Sequence, residues 1–374
     1  MKKIVFVVKD MEMGGLQKVT SVIADSLASK FEVSILSMEQ TPSFFKLSVP
    51  LETISFTERK LSWGFRKIIT KFRHEVLRNS DPFWMQITDR QTESLLKKLE
   101  ILNPDVIVLE EQMILLSDNL KEKGNYSIIG WIHNSFNTYF STYFRNRKCM
   151  MEQSLKLCDK VVCLTEDDQR KFQLLNSDTV CIYNPLTIES QKISNLDNKS
   201  ISFVGRIAIE HKGLDNLVKI SKSLPLDWGI HIAGGGSRTM IKKFTQLVES
   251  QKTENIYYEG VKKDEALASH YINSSIYVMT SRWEGMPLVL AEAMNFGLPI
   301  IAFEQTGANE VLKNGEYGIV IEQGNIIEFN KQLNRLIEDR KLREDYQKKS
   351  LKRVKDFSVD SIAKQWIELI GGSD

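Results

Sequence analysis

Ser281-Arg282-Trp283-Glu284-Gly285-Met286-Pro287-Leu288-Val289-Leu290-Ala291-Glu292-Ala293-Met294 lies one residue beyond the apolar run Ile276-Tyr277-Val278-Met279. That run predicts a buried strand. Pro287 suits a first helical position, where its fixed φ fits and no donor is lost. Residues 289–294 then read as helix, stopped near Gly297-Leu298-Pro299. Glu284 therefore falls on the loop at a strand's carboxyl end, and Glu292 in the helix that follows. Free amides at the helix start favour an anion, and carboxylates on either side can accept hydrogen bonds from sugar or ribose hydroxyls. Two glutamates alone would read as a solvated loop acid and a helix-surface acid. The Gly-Met-Pro turn between them shifts the balance towards a site.

The same strand-loop-helix rhythm precedes this stretch. Residues 200–204 predict a strand, followed by Gly205-Arg206, then Lys212-Gly213 and a helix to about residue 224. A diphosphate in that loop would need a forked guanidinium and a point-like ammonium, which Arg206 and Lys212 supply; two solvated surface cations are the plain alternative. Residues 228–233 predict a strand running into Gly234-Gly235-Gly236, and residues 256–259 a short strand ending at Gly260. Residues 191–200 are polar without apolar period and predict a linker.

Further back, Ile4-Val5-Phe6-Val7-Val8 predicts a buried parallel strand. A loop with Gly14-Gly15, a helix over 17–28 and a strand over 31–36 complete the opening of a doubly wound domain. Its glycines do not make Gly-x-Gly-x-x-Gly, so the dinucleotide fingerprint fails. Strands are predicted over 106–109, 126–132 and 160–164, the last followed by the helix cap Thr165-Glu166-Asp167-Asp168. His133 ends the 126–132 strand and would point into the crevice of the sheet, although a lone histidine is more often structural.

Glu284 and Glu292 with their turn resemble the Glu-x7-Glu motif of the family 4 glycosyltransferases, retaining enzymes of GT-B fold. The resemblance implies two doubly wound, Rossmann-like α/β domains facing each other across a cleft: residues 1–185 on the acceptor side, 186–356 binding a nucleotide-sugar, and a terminal helix over 357–374 crossing back to the first. It places Glu284 and His133 at the transferred sugar and Glu292 on the ribose. It brings the backbone of Gly285, Met286, Pro287, Leu288 and Val289 to sugar and diphosphate. Arg206 and Lys212 match the pair that clamps the diphosphate, here six positions apart where five is frequent. Gly236 matches the glycine turn near the nucleotide, and Tyr258, Gly260 and Val261 the segment that meets the base. Gly14 and Gly15 match a Gly-Gly loop near donor phosphates and acceptor.

The implied reaction is retaining transfer of a hexose or N-acetylhexosamine from a nucleoside diphosphate sugar, taken as a UDP-sugar, to a hydroxyl of a glycan, lipid-linked or teichoic-acid-like acceptor. No Asp-x-Asp motif is present, so cations and amides are expected in place of a metal, and no cofactor is expected. The alternatives are a nucleotide-sugar epimerase or phosphorylase on the same scaffold, or a non-catalytic binding partner.

At 374 residues the chain can hold two cores, and with 42% hydrophobic and 26% charged residues it has globular composition. A net charge of +2 argues against a general nucleic-acid binder. Cys149, Cys158, Cys163 and Cys181 form no Cys-x-x-Cys pair, so reduced buried thiols are expected rather than zinc. The apolar run at 4–8 is too short for a signal sequence or membrane span, so a cytoplasmic protein with at most peripheral membrane contact is expected. The candidate contact is residues 59–78, with seven Arg or Lys against Glu75. Leu61, Phe65, Ile68, Phe72 and Val76 would line one helix face, and Lys60, Lys67, Lys71 and Arg78 another. That basic face would either sit in water or meet an anionic membrane surface or phosphate-rich acceptor.

Overall fold

The computed structural model describes residues 1–54 and 87–371. The chain divides into two units: Met1–Pro185 with Val359–Asp374, and Leu186–Ser358. Each is built on one parallel sheet.

The first sheet has seven strands: β1 (Lys3–Val8), β2 (Glu32–Ser37), β3 (Leu51–Thr53), β4 (Val106–Glu110), β5 (Ser127–Trp131), β6 (Lys160–Cys163) and β7 (Thr179–Cys181), in the order β3-β2-β1-β4-β5-β6-β7. Parallel strands covered on both faces must be apolar throughout, and Ile4 to Val8 are accordingly all buried. After β1 the chain builds outward in one direction, and from β4 in the other. The point of reversal lies between β1 and β4, where the following loops diverge and leave a crevice at the carboxyl ends.

The helix Val359–Ile370 belongs to this unit, at the far end of the sequence. Its Trp366 is fully buried, 4.8 Å from the Trp131 ring and 6.3 Å from that of Phe6. Lys2 Nζ donates to the Ile370 carbonyl at 2.8 Å, and Lys160 Nζ to that of Leu369, so the last turn's free carbonyls meet cations.

The second sheet has six strands: β8 (Ser200–Val204), β9 (Gly229–Ala233), β10 (Ile256–Gly260), β11 (Ile276–Met279), β12 (Ile300–Phe303) and β13 (Ile319–Ile321), in the order β10-β9-β8-β11-β12-β13. The reversal here lies between β8 and β11. Every strand predicted in this half is present, with shifts of at most one residue at the ends.

Three local expectations need correction. Pro287 is not the first helical residue: its φ of −75° fits a helix but its ψ of 106° is extended, so it caps the helix Leu288–Asn295. Residues 191–200 are not a free linker. Ser194 and Leu196 are buried, the Ser194 amide donates to the Phe296 carbonyl at 2.9 Å, and Gln347 Nε2 donates to the Ser194 carbonyl at 2.8 Å. A polar segment can be fixed through its backbone without any apolar period. Of the four cysteines, all free, Cys158 and Cys163 are buried, but Cys149 is exposed and Cys181 half-buried.

Trp366→Ala should remove the largest plug between the terminal helix and β1 and β5. The expected loss in a denaturant titration is about 3–5 kcal/mol. A loss below about 1 kcal/mol would show that the helix contributes little to the unit's core.

Candidate functional site

In the second unit the predicted residues collect at the carboxyl ends of four neighbouring strands. Arg206 and Lys212 follow β8, Gly234 to Gly236 follow β9, Tyr258 and Val261 flank the end of β10, and residues 284–289 follow β11. Lys212 and Glu284 stand on either side of the β8/β11 reversal and meet there, Nζ to Oε1 at 2.5 Å, each side chain 13% exposed.

Backbone contacts that only glycine permits force this meeting. Lys212 ends the short helix Ile209–Lys212, and Gly213 turns the chain with φ +61° into the helix Leu214–Ser221. A Cβ on Gly213 would lie 2.0 Å from the Thr280 carbonyl oxygen, while Thr280 Oγ1 donates to the Lys212 carbonyl at 2.8 Å. The turn after β8 is thus pressed against the end of β11. Arg282 fastens the same seam from outside. Its guanidinium pairs with both oxygens of Asp215 (2.9 and 2.7 Å) and caps the Glu210 carbonyl at 2.6 Å, while its amide donates to the His211 carbonyl at 2.9 Å.

Burial drives the Glu284 carboxyl up. The charge of Lys212, with hydrogen bonds from Lys212 and Ser281, outweighs it, so the pKa lies below the ordinary 4.5 and Glu284 is a carboxylate. His211 stacks on Trp283, centroids 4.8 Å apart and 9° between planes, with Nε2 2.9 Å from the Trp283 carbonyl. A carbonyl only accepts, so Nε2 carries the proton. Burial lowers the His211 pKa, and Lys212 and Arg206 lower it further against the opposing pull of Glu284, which leaves the ring neutral. Arg206 itself is exposed.

The Gly285 carbonyl is fixed by the helix Thr306–Val311: a Cβ on Gly307 would approach it to 2.2 Å. Gly285, Met286 and Pro287 are buried, whereas Leu288 and Val289 at the helix start are half-exposed. Glu292, one turn on, accepts from Thr187 Oγ1 at 2.6 Å and from the Tyr271 hydroxyl at 2.8 Å, one to each oxygen. At the β9 and β10 ends, the Gly234 amide donates to the Gly260 carbonyl at 2.7 Å and the Tyr258 hydroxyl to the Gly234 carbonyl at 3.0 Å. Gly236 packs on Ile207, and Val261 lies against Gly235.

Gly14, Gly15 and His133 are in the first unit. Gly14 caps the helix Gly15–Leu27 with extended backbone, and a Cβ there would strike Gln17 Oε1 at 2.2 Å. Asp10 shapes the loop before it, accepting from the Glu12 amide at 3.1 Å and from Gln17 Nε2 at 2.9 Å. His133 stands just after β5, buried, its ring 4.4 Å from that of Trp131. Burial lowers its pKa to about 3, so it is neutral, and among the described residues its Nε2 has no hydrogen-bond partner.

The sequence reading missed two buried acids at the end of β4, on the far side of the β1/β4 reversal. Glu110 accepts from Thr20 Oγ1 at 2.7 Å, and burial, aided by Glu111 and Asp10, raises its pKa to about 8. Glu111, at φ +52°, accepts from Asn134 Nδ2 at 3.3 Å, and burial raises it to about 7. Acids ending a predicted strand were the available signal. Lys60, Lys67 and Lys71, with the rest of 59–78, lie outside the described residues. Among the described residues, no helix is long and apolar enough to cross a membrane, and no three His, Cys, Asp or Glu side chains group to hold a metal.

Raised carboxyl values have a stability consequence. Between pH 4.5 and about 8 the folded chain keeps protons on Glu110 and Glu111 that the unfolded chain sheds. Their contribution to stability is therefore complete below 4.5 and is lost as the pH rises through the folded values. Glu110→Gln should raise the melting temperature at pH 8, with the gain vanishing near pH 4.5. A gain that is absent at pH 8, or equal at both, would contradict the buried acid.

Comparisons with known proteins agree with this architecture. The family described as glycosyl transferases group 1 matches residues 187–353. An uncharacterized glycosyltransferase of Haemophilus influenzae is 30% identical over 98% of this chain and 99% of its own. The amylovoran biosynthesis glycosyltransferase AmsD of Erwinia amylovora is 27% identical over 96% of each chain. Among solved structures, a mutant of S. aureus TarM in complex with fondaparinux, alpha-GlcNAc-glycerol and UDP superposes with a TM-score of 0.77, covering all of both chains at 14% identity. The fold is that of the GT-B glycosyltransferases.

Proposed function

The chain belongs to the glycosyl transferases group 1 family, and we propose that it moves a hexose or N-acetylhexosamine, with retention, from a nucleoside diphosphate sugar to a hydroxyl of a glycan or lipid-linked acceptor. The observation that carries this reading is the Lys212–Glu284 pair at the β8/β11 reversal, where a carboxylate and a cation stand within 2.5 Å at one crevice. The carboxylate suits hydroxyls and positive charge on a sugar; the cation suits a phosphate. The UDP in the TarM complex supports uridine as the base. Membership of this family does not favour the epimerase, phosphorylase or non-catalytic readings.

As the bond from the anomeric carbon to the diphosphate breaks, positive charge grows on the sugar ring and negative charge on the departing phosphate. Arg206, Lys212 and the first amides of the helix Leu288–Asn295 receive the phosphate charge. Glu284, ionised by its surroundings, faces the developing positive charge. Glu292 is assigned to the ribose hydroxyls, with Thr187 and Tyr271 fixing its rotamer. His133 is assigned to hydroxyls of the transferred sugar, a role its neutral ring suits. Cations and amides take the phosphate role that a metal fills in other transferases.

Incubation with labelled nucleotide-sugars and lipid-linked acceptors, followed by linkage and anomer analysis, tests the reaction. Arg206→Ala or Lys212→Ala should lower turnover by about two to three orders of magnitude; activity within about twofold of the parent would remove the diphosphate assignment. Glu292→Gln should weaken binding of the free nucleoside diphosphate product, while Glu284→Gln should spare it and reduce transfer. Equal loss of product affinity in both would overturn that division. Chelator should leave most activity intact; full loss restored by magnesium or manganese would show that a metal takes part.

A further inference from the structure

The last strand edge of the second sheet carries an irregularity that the reaction, as described, does not use. Along β10, Tyr257 pairs with His231 and Tyr258 with Ile232, but the next partner, Ala233, pairs with Gly260. Glu259 is the extra residue of a β-bulge. Such a residue has no ladder partner, so side-chain contacts must fix it.

Those contacts are dense. Glu259 Oε1 accepts from His231 Nδ1 at 2.8 Å, and Oε2 lies 3.0 Å from His270 Nδ1 and 3.1 Å from Lys262 Nζ. His270 is buried on the helix Asp264–Ile272, and its other nitrogen is 2.8 Å from Ser202 Oγ of β8. With Nδ1 donating to the carboxylate, a neutral His270 accepts from the serine hydroxyl, and both ring nitrogens are satisfied. His231 also stacks on Tyr257, centroids 4.9 Å apart. One carboxylate thus ties together β8, β9, the Asp264–Ile272 helix and the turn after β10. Burial raises the Glu259 pKa, but the bonds from His231, His270 and Lys262 hold it at about 2, so the tie is ionic throughout the working range.

The bulge decides what lies beyond it. Gly260, at φ +74°, turns the chain so that its carbonyl receives the Gly234 amide. Tyr258, anchored through its hydroxyl to Gly234, and Val261, 50% exposed, are left flanking the glycine turn. An exposed ring and an exposed aliphatic side chain at this turn suit the flat face of a nucleobase.

We propose that Glu259 is a positioning residue for the nucleoside end of the donor: through His231, His270 and Lys262 it holds the bulge that presents Tyr258 and Val261 to the base. This rests on the donor-site reading above. It makes base recognition separable from phosphate recognition at Arg206 and Lys212.

The test is calorimetric titration of the full chain and its variants with UDP, GDP and inorganic pyrophosphate, with thermal unfolding run alongside. Glu259→Ala should weaken UDP binding about tenfold or more, as expected for losing charge-assisted bonds that hold a binding surface. It should narrow the preference between UDP and GDP and leave pyrophosphate affinity unchanged. His231→Gln, at a half-buried surface position, should shift UDP binding the same way by less, and Glu259→Gln should recover part of the loss. Cooperatively folded variants that bind UDP like the parent, or that lose UDP and pyrophosphate equally, would overturn the proposal. Parent protein that binds neither nucleotide would sink the donor-site reading and this proposal with it; parent binding with unchanged variants would sink the proposal alone.

Discussion

The second unit is organised around one ion pair, Lys212 with Glu284, at the reversal of strand order. Two charges that are largely withdrawn from water are costly unless their geometry is held. The neighbouring residues hold it. Gly213 lets the turn after β8 touch the Thr280 backbone, Arg282 binds Asp215 through both nitrogens, and Gly307 lets the Gly285 carbonyl close in. None of these groups need touch a substrate. Each removes a freedom by which the cation and the carboxylate could drift apart, and preorganised charge is what stabilises a separating sugar and phosphate without reorganisation at the moment of reaction.

The two sheets carry opposite chemistry at equivalent places. The β8/β11 reversal has Arg206 and Lys212 with one carboxylate. The β1/β4 reversal has Asp10, Glu110 and Glu111, with His133 kept neutral by burial. Protonated acids and a neutral imidazole can exchange hydrogen bonds with hydroxyls without adding charge, whereas a cation pair suits a phosphate. The same wound architecture therefore carries cations at the reversal of one sheet and buried acids at the reversal of the other. The difference comes from residues at the strand ends and in the loops that follow them.

Much of this was legible in sequence because it is local. Apolar runs marked the strands of both sheets except β3, β7, β12 and β13, and Lys212-Gly213 and the Glu284 to Glu292 spacing marked the loops that follow β8 and β11. Pro287 was misread by one position because φ fixes only half of a residue's conformation; its ψ is set by the turn. Residues 191–200 looked free because backbone hydrogen bonds to distant residues leave no periodicity. The partners of Arg282 and Glu259 were beyond reach for a different reason. Asp215, His231 and His270 are brought to them by strand order and by a one-residue bulge, and neither can be read from a single chain's spacing. Glu110 and Glu111 could have been noticed, since a strand's carboxyl end faces the crevice of a doubly wound sheet, but only burial shows that they hold protons.

The central claim is that the crevice at the ends of β8, β9, β10 and β11 receives a nucleoside diphosphate. Hydrogen exchange of backbone amides with and without UDP examines it directly. Protection should appear at residues 206–212, 234–236, 258–261 and 285–292, with the amides that begin the Leu288–Asn295 helix slowed together with the Lys212 turn. Protection that leaves those four segments unchanged while UDP is bound elsewhere would contradict the claim.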